Sequence, residues 1–533
     1  MTVCNFISWG ARLSRPQFLA SRRQHHLGRG EWKRSFRLRG AVTAFLLTSL
    51  SGSAQIQQAW VARYNNGITN GTSQAVKLAL DPAGNVYTSG YSQNTNNQFG
   101  YVTIKYAPNG SQLWTARYDS TNYPTAILTA MAVDVSNNII VTGTALTIKY
   151  DSNGNQLWTA PYAGTALAVD SNANVYVVGF SQDFGTVKLS PEGSNIWLAT
   201  YIDSAGPTVS KTVVVDSAAN VYVTGLDTYF YIPPGGDGDG PYLYLTTLKY
   251  NSSGDQLWKV SEDSTPNNST IKVEGIALDN LANLYVVAYF PNSFDFTIYK
   301  YTPDGGVTSI YDPDPDADFN NAYGFVVDNT GDILLAGQFA FYGSNYATYA
   351  CGTYKGNTNG SWIWTNLYPS SGDYAPSAAL ALAVDSANNS YVTGYSPVAN
   401  GTNNIVTIKY SPNGNQMWLQ SYNALNAGTD VGNAIAVDKS GNVYVTGYET
   451  LPGGGTGIVT IKYVPISIQR QINGTVLIET QGSPGESFDI QASSDLLNWL
   501  GLGTFLADTN GLLQFDDTNA PNFPARFYYT NPQ

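Results

Sequence analysis

The sequence predicts an all-β chain: an eight-bladed β-propeller, with seven blades as the alternative, followed by a small C-terminal β-sandwich. Three observations carry this prediction. Eight apolar runs end in aspartate, at Asp81, Asp134, Asp170, Asp216, Asp279, Asp328, Asp385 and Asp438. Each is followed by a later lysine, Lys105, Lys149, Lys188, Lys249, Lys300, Lys355, Lys409 and Lys462, and in most units a glycine and a tryptophan stand five and nine residues beyond it. The composition agrees: charged residues are only 12%, aromatics 13%, with 38 Tyr and 52 Gly, which suits strands and turns rather than helices.

Residues 1–54 stand apart. Eight Arg and one Lys face a single acid, Glu31, and the apolar run Ala41–Leu50 is followed by small residues up to Ala54. A basic leader, a short apolar core and a small-residue exit predict an export signal cleaved near Ala54. The core is too short for a permanent membrane span, and no later run is long enough. The expected destination is therefore the cell surface or the exterior of a bacterium. Cleavage would also remove both histidines and Cys4 and leave 17 basic against 37 acidic residues. So acidic a chain repels phosphate backbones, which excludes nucleic acid as a partner.

Residues 55–463 form the repeat. After each aspartate come three residues and then Asn or Asp, as in DPAGN and DKSGN, which marks a tight hairpin. A strand such as NVYVTGY follows, then a variable loop, the lysine strand, a second tight turn and the tryptophan strand. The eighth unit stops at Tyr463 without its tryptophan strand, while Ala59–Tyr64 resembles one and has no unit before it. The expectation is a ring in which the first strand completes the last blade and leaves no open edge. Loops two-to-three and four-to-next vary and share a face, so ligands should meet that face.

The pattern AVD-xx-GNVYVTGY … TIKY-xPNG-xxxW resembles the bacterial β-propeller repeat family known as SBBP, over most of the chain beyond residue 54. That family is described as seven-bladed; here eight units are counted. The resemblance implies an exported propeller without an assigned activity. Residues 464–533 alternate as strands separated by NGT, GSPGE and DTNG, which predicts a small antiparallel sandwich. The stretch SFDIQASSDLLNWLGLGTF … FPARFYYT is similar to C-terminal β-domains on secreted proteins of environmental bacteria, which implies surface retention or sorting.

Chemistry is narrowed mostly by exclusion. Without histidine beyond residue 54, no Ser-His-Asp or Cys-His arrangement and no His-based zinc site can form there. Cys351 lies in a strand-like stretch and reads as an inert buried thiol. The spacing SNGNQLW resembles that of quinoprotein dehydrogenases, but a single Cys excludes their adjacent-cysteine disulfide. The repeated lysines read as structural, each paired with an aspartate or lying along an aromatic ring, and the tryptophans as blade-to-blade contacts.

Residues outside the repeat pattern are the better site candidates. Asp312, Asp314, Asp316 and Asp318 alternate in YDPDPDADFNN, and Asp237 and Asp239 lie in the insert PPGGDGDGP. Clustered carboxylates are hard-oxygen ligands, so Ca²⁺ is the one cofactor expected, although the loop lacks the glycine and final glutamate of an EF-hand. At the variable-face mouth of the channel, Lys211 and Glu274 break an otherwise uncharged column, and Tyr323 is a third candidate there. No catalytic residue is assigned. The expected function is that of a monomeric, exported, non-catalytic binding or scaffold propeller recognising carbohydrate or protein. The alternative is an extracellular hydrolase or lyase acting on polysaccharide through Asp, Glu, Lys or Tyr.

Overall fold

The computed structural model describes residues 55–532 apart from 121, 181–182, 203–207, 230–241, 264–270, 291–294, 312–317, 343–346, 360, 370–376, 399–400, 425–427, 482–484, 486, 496 and 510. The expected export segment, 1–54, lies outside the described residues. So do the acidic candidates Asp237, Asp239, Asp312, Asp314 and Asp316; Asp318 begins a strand, but its side chain is not described.

Among the described residues the fold is all-β, a propeller-type succession of antiparallel sheets. Seven sheets have four strands in chain order and span 73–118, 128–160, 166–201, 208–263, 272–311, 318–369 and 378–422; they are numbered blades 1 to 7. Blade 8 comprises Val431–Val437, Val443–Thr450 and Thr456–Arg470, and its outer strand is Gln55–Tyr64, paired antiparallel with Thr456–Arg470 so that Val61 faces Ile461. The innermost strands touch one another in order from blade 1 to blade 8, and that of blade 8 touches that of blade 1.

The hydrophobic core is divided among the blade interfaces. Ala62, Ala75, Val86, Ile104, Tyr444 and Ile458 form one such layer between blades 8 and 1. Apolar area removed from water there stabilises by about 25 cal/mol per Å². Each repeated residue has a defined job in these layers. Trp114 of blade 1 donates from Nε1 to the carbonyl of Ser152, in the last turn of blade 2, and Lys105 donates from Nζ to the same oxygen, both at 3.0 Å. Trp158 and Lys149 share Pro191 O, Trp197 and Lys188 share Ser252 O, and Trp258 and Lys249 share Pro303 O. Trp60 and Lys462 of blade 8 share Pro108 O of blade 1 in the same way.

The glycine of that turn is required twice over. Gly154 has φ +86°, and a Cβ on it would lie 2.7 Å from Trp114 Cδ2. The repeat tryptophans and glycines are thus one joint, the ring of one blade laid on the bare backbone of the next.

Thr456–Arg470 runs without a break past Pro465 and pairs beyond the propeller with Val476–Gln481, which pairs with Leu512–Asp517. A second sheet holds Leu500–Leu506, Ser487–Ser493 and Phe527–Pro532. Both contribute to one core that includes Ile466, Ile478, Phe488, Ile490, Leu513 and Tyr528.

Candidate functional site

The first tight turn of each blade is wired from within. Asp81 Oδ1 accepts from the backbone N–H of Ala83 and Asn85, and Oδ2 accepts from Asn85 Nδ2 at 2.7 Å and the Tyr87 hydroxyl at 3.0 Å. Lys105 lies over the Tyr87 ring, 4.9 Å from its centre. Equivalent bonds from the asparagine and the tyrosine hydroxyl recur at Asp170, Asp216, Asp279, Asp385 and Asp438. The lysines are therefore structural, as expected, and this face offers few free groups. Among the described residues no three His, Cys, Asp or Glu side chains are grouped to hold a metal ion.

The opposite ends of the innermost strands differ. A β-bulge removes one residue from the ladder in nearly every blade: Val76, Thr129, Lys211, Glu274, Tyr323, Leu380 and Asn433. Bulges re-aim a side chain and are common beside binding sites. They also explain the glycine of VTGY. A Cβ on Gly90 would stand 1.9 Å from Gln74 O, and one on Gly447 1.8 Å from Val431 O, the carbonyls that the bulge turns toward the second strand.

Some bulge residues are spent on the scaffold. Thr129 Oγ1 donates to Gly164 O at 2.6 Å, in the connection leading to the next blade, and Asn433 Nδ2 to Ala75 O at 2.8 Å, in the next blade. The side chains of Lys211, Glu274 and Tyr323, on the consecutive blades 4, 5 and 6, make no hydrogen bond among the described residues; the Lys211 carbonyl accepts from Thr165 Oγ1 at 3.1 Å. Lys211 is exposed, and Tyr323 is 44% exposed. No ion pair joins Lys211 to Glu274 among the described residues. The cation that acts on Glu274 is Lys272 of its own strand, itself bonded to Asn321 Oδ1 at 3.1 Å. Burial pushes the Glu274 carboxyl up to about 7 against the opposing pull of Lys272.

Tyr323 is raised by burial and then by the neighbouring Tyr395 and Glu274. Tyr448 is raised by burial and then by Tyr91, Tyr395 and Asp430. Glu274 and Tyr323 at the bulges of blades 5 and 6, and Tyr395, Tyr448 and Tyr91 beside the bulges of blades 7, 8 and 1, form an arc at one end of successive blades. Tyr91, Tyr395 and Tyr448 each follow the bulge-facing glycine of the second strand. Sequence reasoning passed over these three. Their signal was the aromatic after VTG or TSG, shared by some units and absent from others.

Cys351 is fully buried, and burial pushes its thiol up to about 12, so it is no nucleophile. No helix among the described residues is long and apolar enough to cross a membrane.

No curated protein matches the sequence. Among solved structures the chain is similar to a protein of unknown function from Bacteroides caccae, at 13% identity over 53% of this chain and 93% of that one, with a TM-score of 0.30. It is similar to the WD40 domain of Neurospora crassa Pan2, at 11% identity over 64% and 90%, TM-score 0.38. Dipeptidyl peptidase 4 of Porphyromonas gingivalis gives 10% identity over 77% and 64%, TM-score 0.39. Residues 424–448, which include the first strand of blade 8 and most of the second, match the SBBP family, described as Beta-propeller repeat, so this stretch is an SBBP β-propeller repeat.

Proposed function

We propose that the protein is an exported eight-bladed propeller, closed by Gln55–Tyr64 and carrying a C-terminal β-sandwich, that binds carbohydrate or protein through its variable-loop face. The observation that carries this reading is the contrast between the two faces. One is an array of aspartates, asparagines and lysines bonded to their own blade or its neighbour, and the other presents the side chains of Glu274 and Tyr323, which make no hydrogen bond among the described residues. Phenols beside polar groups suit recognition of sugar rings and protein surfaces. The protein acts at or outside the cell surface after loss of residues 1–54, with 464–533 as the retention or sorting module. Ca²⁺ at the acidic loops is part of the proposal.

One observation favours the enzymatic alternative: a carboxyl raised to about 7 can give up a proton near neutral pH. A glycosidase needs a second carboxylate opposite the first, and among the described residues no acid is recorded acting on Glu274. Binding therefore comes first. The deciding experiment is a broad glycan array probed with the full chain, with Ca²⁺ and with chelator. Selective binding supports the reading. Turnover of a bound glycan would replace it with the enzymatic one, and loss of binding in chelator would support the metal loops.

A further inference from the structure

The class of ligand taken by the mouth can be argued further, and this step rests on the binding reading above. The arc of Glu274, Tyr323, Tyr395, Tyr448 and Tyr91 pairs one carboxyl with four phenols. Tyr91 is already committed, its hydroxyl donating to Gln74 Oε1 at 2.7 Å. The hydroxyls of Tyr323, Tyr395 and Tyr448 make no hydrogen bond among the described residues, and all three side chains are at least partly exposed. Two features of the bulges place Glu274 and Tyr323 side by side. Both are the residues left out of the ladder, on innermost strands that touch. The glycine after each is packed on the next blade, Gly275 against Phe325 and Gly324 against Leu382, so the backbone beneath them is fixed.

The nearby cations are held or apart. Lys272 bonds Asn321 and lies over the Tyr289 ring, 5.6 Å from its centre, and Lys211 makes no ion pair with Glu274 among the described residues. A half-buried carboxylate left without a hydrogen-bonded cation, beside aromatic faces, is complementary to a small desolvated cation. The whole chain carries a formal charge of −12, which draws cations toward it and repels anions.

We infer that this mouth binds a primary alkylammonium group, as borne by a lysine side chain or a polyamine, with the ammonium against Glu274 and its alkyl stem along Tyr323 and Tyr395. A neutral sugar would use the phenols but gain nothing from the carboxylate. A phosphate or carboxylate ligand would be repelled by it.

The test is calorimetric titration of the full chain at physiological salt with three probes: a Gly-Lys-Gly peptide blocked at both ends, the same peptide with acetyl-lysine, and spermidine. The lysine peptide or spermidine should bind, the acetylated peptide at least tenfold more weakly. Binding of the peptide assigns the group to a protein partner; binding of spermidine alone assigns it to a free polyamine. Glu274→Gln keeps the shape and removes the charge, so it should cost at least tenfold in affinity while the variant keeps the far-ultraviolet circular dichroism of the folded chain. Tyr323→Ala should also weaken binding. Equal affinity for the acetylated peptide, unaltered affinity in Glu274→Gln, or no binding of any probe would each overturn the inference. Selective capture of neutral glycans on the array would in that case leave the broader binding reading standing.

Discussion

Lys149 closes directly on Asp134, Nζ to Oδ2 at 2.9 Å, while the equivalent Lys105 stands 3.7 Å from Asp81. The cause is one residue. Blade 1 has Tyr87, whose hydroxyl bonds Asp81 and whose ring carries the lysine; blade 2 has Ile140 there. Blade 6, with Leu334 at that position, repeats the substitution: Lys355 lies 2.7 Å from Asp328 and 3.1 Å from Asp332. Where the tyrosine is lost, the lysine takes its bond.

Lys149→Met should therefore cost more than Lys105→Met. The first leaves a fully buried carboxylate without its cation, a loss of about 3–5 kcal/mol. The second removes a cation–π contact and a carbonyl bond while Tyr87 still serves Asp81, a loss of about 1–2 kcal/mol. Denaturant unfolding of both variants checks the order.

Gly154→Ala should destabilise by about 2–4 kcal/mol, through the left-handed backbone and the collision with Trp114. Gly401→Ala is the control: its φ is +82° but nothing lies within 4 Å of the added Cβ. Only the backbone strain of about 1 kcal/mol should remain there. Equal losses would show that the glycine–tryptophan joint adds nothing.

Stability should fall as the medium turns acidic. For Asp134 and Asp328 burial alone would raise the carboxyl, but the bonds from lysine and from Asn138 or Thr330 outweigh it and hold each below the ordinary range. Asp170 and Asp385 are lowered against burial chiefly by Asn174 and Asn389. A carboxyl depressed by folding contributes stability that is complete above its unfolded value, about 4, and is lost as pH drops through its lower folded value. Melting temperatures recorded from pH 6 down to pH 2 should decline most steeply below about 4.

Glu274 should act with the opposite sign. Its folded value of about 7 lies above the unfolded one, so its contribution is complete at low pH and is lost as pH rises toward 7. The other charged or titratable residues on its own and the flanking innermost strands are Lys272, Lys211, Tyr323 and Asp318. Glu274→Gln should flatten stability between pH 5 and 8, and an unchanged slope would assign the trend to other groups.

The blade joints were legible because each is a column of identical residues. Asp and Lys recur in all eight units, with Asn, Gly and Trp at fixed spacing in most of them, and so regular a spacing fixes register. The bulges were not legible, because an extra residue in a strand of Ala, Val and Leu leaves no mark in apolar periodicity. Lys211 and Glu274 stood out by charge alone, and their neighbours Lys272, Asn321 and Tyr395 came to light only with the strand pairing. The end assigned to the repeat at Val464-Pro465 is crossed by one continuous strand, since Pro465 faces Ile56 on an outer pairing and tolerates the missing N–H.

That continuous strand sets how the molecule would bear tension. Gln55 faces Ile466, so the N-terminal strand and the strand leading into the C-terminal sheets part company at the same end of their ladder. A pull between the two would open the pair one rung at a time, the geometry of a zipper, rather than shear all rungs together. The first rungs are pinned from the side. Gln57 donates from Nε2 to Thr480 Oγ1 at 2.8 Å and accepts from the Thr530 hydroxyl, both in the C-terminal sheets. Those sheets therefore work as a clasp on the most vulnerable tooth of the seam, and shortening the chain after Tyr463 would take the clasp away.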